Sequence, residues 1–142
     1  MQIVRMNGGL GNQMFQYAFG YYLKEVGNDV CFDLSDYSIH HHHQGYELEK
    51  IFDIHVKEAR NEDVRKLCGN KHSIFIRMFR KMTGLEVTGK NEIVANERTI
   101  FIIPTVINNS LYFNGFWQNI QYVKPYIQQL KKIFSFQKFV VL

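Results

Sequence analysis

Cysteine is scarce in this chain of 142 residues, with only Cys31 and Cys68 and no CxxC spacing, which excludes a disulfide framework and a cysteine-based zinc site. That usage suits a reducing, cytoplasmic compartment. Proline is as rare, at Pro104 and Pro125, so no proline-rich linker divides the chain. Long apolar runs are missing as well. The longest, Ile100 to Pro104, falls far short of the ~20 residues that span a bilayer, so membrane contact is expected to be peripheral at most. Arg5 and Asn7 interrupt the first apolar run before it can form the core of a secretory leader, and the mature domain is read as starting at Met1. No GK[ST] follows the early glycines, which excludes a P-loop.

What is present suits one packed domain. Hydrophobic residues make up 46% and charged residues 21%, with 12 Phe and 8 Tyr as large core or pocket side chains. The formal charge of +4 would favour an anionic partner such as a nucleotide or a lipid head group. No RNP, zinc or helix-turn-helix pattern supports nucleic acid.

Hydrophobic periodicity orders the elements. Gln2 to Met6 reads as a buried strand, Asn7 to Asn12 as a glycine-rich turn, and Gln13 to Glu25 as a helix stopped by Gly27 and Asn28. Met14, Tyr17, Ala18, Tyr21 and Tyr22 fall on one helical face, leaving Gln16, Lys24 and Glu25 toward water. Val30 to Leu34 is a second strand of the continuous apolar type found in parallel sheets. Strand, turn, helix and strand make a βαβ unit, expected to cross over right-handed. Further on, GYELEKIF predicts a short helix presenting Leu48, Ile51 and Phe52 to the core, and Lys57 to Leu67 a helix with charges placed as the macrodipole prefers. Thr88 to Asn91 reads as a turn, with Glu86-Val87 and Ile93-Val94 paired as a hairpin. Thr99 to Val106 and Leu111 to Trp117 are strand candidates, and Pro125 to Phe134 a helix with Ile127, Leu130 and Phe134 on one stripe. Phe139 to Leu142 reads as the opening of a buried strand, which gives the chain the look of a cut rather than a completed domain.

The glycine loop is the main chemical feature. Gly8, Gly9 and Gly11 lie between strand and helix, where missing Cβ atoms permit positive φ and close approach of a ligand. Free helix N–H groups near Asn12 to Met14 would then face the cleft at the strand's carboxyl end, a place for an anion or a sugar hydroxyl. A dinucleotide fingerprint fits poorly, since its third glycine would fall at Met14, although Asp33 ends the second strand where an acidic residue is wanted. A tight turn with no ligand is the alternative.

The string VRMNGGLGNQMFQYAFGYYL resembles the amino-terminal signature of glycosyltransferase family 11, the bacterial α-1,2-fucosyltransferases. FDLSDY, HQGYELEKIFDI with His43 and Gly45, and GFWQNIQYVKPYIQQLKKIFSF agree with that family in order and spacing, leaving out only the region from Lys57 to Thr99, read as a variable insert at about 57–99. The resemblance implies an α/β fold: a Rossmann-like parallel-sheet domain over residues 1–142, forming the first half of a GT-B-type enzyme. The family's HxRRxD motif, which belongs to the donor-binding half, is absent, so this chain is not expected to catalyse transfer alone.

The implied reaction moves L-fucose from GDP-fucose to the 2-hydroxyl of a galactose in a glycan, with no cofactor and no metal. It requires a general base at the acceptor and N–H-rich groups around the departing diphosphate. Substrate-binding candidates are Gly8, Gly9, Gly11, Asn12 and Gln13 on the loop, with Trp117 as a stacking face and Gln118 as a hydroxyl partner. Core burial is the rival reading of Trp117. Asp33 and His43 are candidates for the base, against a loop-capping carboxylate and a solvated histidine. The run His40 to His43 invites a metal, yet adjacent histidines cannot all converge on one ion and no paired carboxylate accompanies them. Residues 71–82 form a basic amphipathic segment, read either as a core-packed helix or as a peripheral contact at the inner face of a membrane. A non-catalytic glycan-binding or interaction domain is the alternative function.

Overall fold

The computed structural model describes residues 1–39, 44–69, 82, 91–96 and 107–135. The histidines at 40–43, the insert strand expected over 99–106, the Glu86-Val87 half of the hairpin and the final strand lie outside the described residues. Of the basic segment at 71–82, only Met82 is described, and it is exposed.

Among the described residues four strands, β1 (Gln2–Arg5), β2 (Val30–Asp33), β3 (Glu92–Val94) and β4 (Leu111–Asn114), form one sheet in the order β2-β1-β4-β3. Every pairing is parallel, with Ile3 opposite Cys31 on one side and Tyr112 on the other. Helices α1 (Leu10–Glu25), α2 (Ser35–Ile39), α3 (Glu47–Phe52), α4 (Asn61–Cys68), α5 (Ile120–Val123) and α6 (Ile127–Ile133) flank it, with a 3₁₀ turn at Lys124–Tyr126 between the last two. This is the α/β Rossmann-like arrangement expected from the βαβ periodicity. A parallel sheet buries both faces, and here alternate residues divide them. Val4, Met6, Phe32 and Phe113 pack with Phe19 and Leu23 of α1 in the larger core, while Ile3 and Tyr112 meet Val64, Leu67 and Cys68 of α4 in the smaller one. Each such large apolar side chain removed from water contributes roughly 1.5–3 kcal/mol.

Four expectations are corrected. Helix α1 starts at Leu10 rather than Gln13, with Gly9 as its N-cap, so Gly11 is a helical residue. Its buried face carries Gln13, Gln16, Phe19 and Leu23, and Gln16 points into the protein instead of toward water. Residues 57–59 are extended, not helical: the edge of β2 needs partners, and the Phe32 N–H donates to the Lys57 carbonyl (2.8 Å) while the Ala59 N–H donates to the Phe32 carbonyl (2.8 Å). Ile93-Val94 is a strand as expected, at the edge of the described sheet and paired in parallel with β4, while its expected partner Glu86-Val87 lies outside the described residues. Near the end of the described chain, Leu130 is buried and Phe134 half-buried as expected, but Ile127 is exposed, because the segment breaks into α5, the 3₁₀ turn and α6.

Candidate functional site

The chain leaves β1 through α1 toward β2 on one side, and β4 lies on the other side of β1. The loops after β1 and β4 lie side by side at the carboxyl ends of the two strands, the end of the sheet at which open α/β folds hold ligands, and they bound the candidate crevice. Residues 7–12 form one wall and residues 114–118 the other.

On the first wall only Gly8 has a positive φ, at +78°. A Cβ there would lie 2.6 Å from the Asn12 side chain, so the glycine is required both by conformation and by space. The Gly8 carbonyl accepts from Gln13 Nε2 (3.0 Å) and from the Tyr37 hydroxyl (3.1 Å). Gly9 is extended, and around Gly11 a Cβ would meet nothing within 4 Å. The Gln13 N–H already donates to the Gly9 carbonyl (3.1 Å), which leaves the orphan donors of the first helical turn at Leu10, Gly11 and Asn12 among the described residues. They sit at the positive end of the α1 macrodipole, suited to a phosphate or hydroxyl oxygen.

On the second wall Gly115 has φ +143°, and a Cβ on it would fall 2.3 Å from the Ala95 Cβ at the end of β3. Two side chains tie the walls together. Gln16, fully buried, accepts from the Asn7 N–H (3.1 Å), donates to Asn7 Oδ1, and donates to the Gly115 carbonyl (3.0 Å). Gln118 Nε2 donates to Asn12 Oδ1 (2.9 Å) across the mouth of the crevice.

Gly8, Gly9, Asn12 and Gln118 thus come together at one crevice, as the sequence reading places them. Gln13 lies beneath it instead: its amide donates to the Gly8 and Gly45 carbonyls and accepts from the Glu47 N–H (2.8 Å), which ties the HQGYE segment to the loop and leaves no side-chain group facing a ligand. Trp117 is 2% exposed, stacked on Phe19 with centroids 4.4 Å apart and planes at 8°, so its face serves the core rather than a sugar ring. Its φ is +52°, rare for a bulky residue and costly by about 1–3 kcal/mol, and its Nε1 is buried without an acceptor among the described residues. Asp33 is buried with both carboxylate oxygens engaged, Oδ1 by the Ser35 N–H (3.0 Å) and Oδ2 by the Tyr112 hydroxyl (2.7 Å). That geometry describes the loop-capping carboxylate rather than a base open to an acceptor hydroxyl. Burial, reinforced by the Asp33 charge, pushes the Tyr112 phenol far above its usual range, so Tyr112 stays a hydrogen-bond donor. His43 lies outside the described residues.

Sequence reasoning passed over Arg5 and Gln16. Arg5, at the carboxyl end of β1, donates through Nη1 to Asn114 Oδ1 (3.0 Å) and through Nη2 to Asp36 Oδ1 (2.7 Å), while Asn114 Nδ2 donates to Glu92 (2.9 Å). Burial is the largest single influence and opposes the Arg5 charge, but the bond to Asp36, the Asp36 charge and the nearby Tyr112 and Asp33 together leave the guanidinium pKa raised. The signal was available: an arginine inside the apolar strand QIVR has to find a carboxylate. Among the described residues, no group of three or more His, Cys, Asp or Glu is arranged to hold a metal ion, and no helix is long and apolar enough to cross a membrane. A separate recess of about 370 Å³ runs between α1 and β2, lined by Tyr17, Tyr21, Lys24, Asp29 and Lys57 among others, and none of the candidate residues lines it.

The fold is a Rossmann-like α/β domain, with the candidate residues gathered at the carboxyl ends of β1 and β4. The chain is similar to the α-1,2-colitosyltransferase of Escherichia coli, with 31% identity over 134 residues that cover 94% of this chain and 44% of that protein. The chain therefore spans less than half the length of this relative, a glycosyltransferase. No protein-family model matches the chain, and no solved structure does.

Proposed function

We propose that the chain is the amino-terminal half of a glycosyltransferase that forms α-1,2 linkages, and that it builds one wall of the active site. The observation that carries the reading is the likeness to the colitosyltransferase over 94% of the chain, a span that includes residues of both walls of the crevice. The chemistry of the crevice is compatible: three orphan N–H groups, the Asn12 amide and the Gln118 amide all seek oxygen atoms, which is what a glycan or a nucleotide-sugar offers. On the fucosyltransferase resemblance of GGLGNQMFQYA, the sugar moved is L-fucose from GDP-fucose, and the acceptor is the 2-hydroxyl of a galactose. Colitose is the competing sugar, on the name of the relative. Gly8, Gly9, Gly11, Asn12 and Gln118 contact substrate in this reading, with no metal and no cofactor.

Calorimetry and saturation-transfer NMR on the chain with lactose, GDP-fucose and GDP-colitose test the division of labour. Lactose is expected to bind weakly and neither donor to bind at micromolar strength. Micromolar donor binding would place the donor site in this half and overturn the division, while failure of all three sugars to bind would remove the transferase reading.

A further inference from the structure

The stretch from Gly115 to Gln118 is pinned at both ends. Its first carbonyl accepts from the buried Gln16, and at its far end Asn119 donates its N–H to the Trp117 carbonyl (2.8 Å) while its side chain caps α5 by accepting from the Gln121 N–H (2.9 Å). Between these points stand two unfavourable features in one residue. Trp117 holds a positive φ that a bulky side chain rarely adopts, and it buries an indole N–H that has no acceptor among the described residues. The neighbouring Phe116 ring is exposed, so the fold does not bury this stretch as a block. Trp117 is held from within by its stack on Phe19, an edge contact with Phe113 and the Asn119 N–H on its carbonyl, and from outside by the bond of the next residue, Gln118, to Asn12. That outer bond crosses the crevice mouth, is exposed, and lies beside the free N–H groups of the α1 first turn.

We infer that residues 115–118 form a strap latched across the glycine loop by the Gln118–Asn12 bond, and that opening the latch releases Trp117 from its buried position. A ligand that presents hydroxyl or phosphate oxygens to the loop competes with Asn12 Oδ1 for the Gln118 amide, so ligand entry and strap release are one event. Once released, Trp117 returns to a negative φ and its Nε1 gains water or a ligand oxygen as acceptor. The inference does not depend on which sugar is transferred, and its test needs no substrate.

Trp117 is the sole tryptophan of the chain, so its emission reports the strap directly. The experiment compares the full chain with Gln118→Ala, Asn12→Ser and the double variant by emission maximum and acrylamide quenching, after circular dichroism shows native secondary structure. Each single variant is expected to shift emission to the red and to raise the quenching constant about threefold, as the open population grows by the worth of one exposed hydrogen bond. The double variant is expected to match the larger single effect, because both substitutions break the same bond. Unchanged emission and quenching in the single variants would show that the core contacts with Phe19 and Phe113 fix the ring by themselves and would overturn the latch. Additive effects in the double variant would overturn it equally, since the two residues would then act separately. Should one substitution prevent folding, the other single variant decides.

Discussion

After β1 the chain places three glycines close together and uses a positive φ at only one, Gly8; after β4 it places a single glycine, Gly115, at φ +143° with Ala95 filling the space where a Cβ would go. The first turn is rich in glycine and partly tolerant, because Gly9 is extended and Gly11 has entered the helix. The second is poor in glycine and strict. Density of a residue type in a motif is therefore a weak measure of structural demand. The demand is set by dihedral angle and by what stands within van der Waals reach, and at Gly115 both act together.

The largest effect is expected where the two turns are joined. Gln16→Leu keeps the volume but leaves the Asn7 N–H and the Gly115 carbonyl without their partner, at a cost of about 4 kcal/mol from unsatisfied groups. Urea denaturation measures it, and a loss below about 1 kcal/mol would show that water replaces Gln16 and that the walls stand independently. Next in size is Gly115→Ala, expected to cost about 3 kcal/mol from overpacking and strained φ combined. Adding Ala95→Gly should recover the overpacking part and leave the dihedral part. Full recovery would mean that φ contributes nothing and that the second turn is strict only sterically.

A smaller effect separates the walls by pH. Tyr112 of β4 keeps its proton in the folded state well above the pH at which a free phenol ionises, because it is buried against Asp33. Its folded pKa is raised, so its stabilisation is complete below about pH 10; above that the unfolded chain ionises first, and stability falls by up to about 1.4 kcal/mol per pH unit for this one group. Thermal melts from pH 8 to 11 are expected to show that decline, and Tyr112→Phe to lessen its slope while lowering stability at pH 8 through the lost Asp33 bond. An identical slope in the variant would assign the alkaline loss to the other phenols raised by burial, among them Tyr37, whose hydroxyl bonds the Gly8 carbonyl, and Tyr46, whose hydroxyl bonds the Ile54 carbonyl.

These differences explain what was legible beforehand. The βαβ unit was readable because its apolar periods switch cleanly from strand to helix and back, and the α3 helix because Leu48 and Phe52 keep helical spacing. The glycine loop was readable as the turn between β1 and α1 for the same reason. Gln16 was assigned to water because hydropathy treats an amide as surface, whereas this one serves three polar groups from inside. Residues 57–59 read as helix from their charges, yet an unpaired strand edge claimed them, and that need is non-local. Trp117 had two readings, and the side chain that decides between them, Phe19, lies far away in sequence. The Arg5 to Asp36 pair escaped because an arginine in an apolar strand signals that a carboxylate is needed without saying which one.

The smallest effect tests the tolerant turn itself. Gly11 lies inside α1 with open space where a Cβ would stand, so Gly11→Ala should raise stability by about 0.5–1 kcal/mol through helix propensity and a less flexible unfolded chain. Its value is that stability and ligand approach then move in opposite directions. The added methyl group meets no protein atom, yet it stands beside the orphan N–H groups that face the crevice. Thermal melts together with lactose binding by NMR separate the two roles. A more stable variant that no longer binds would show that Gly11 is kept for the approach of a ligand to the backbone, and a more stable variant that binds as before would move the ligand to the Gln118 side of the crevice.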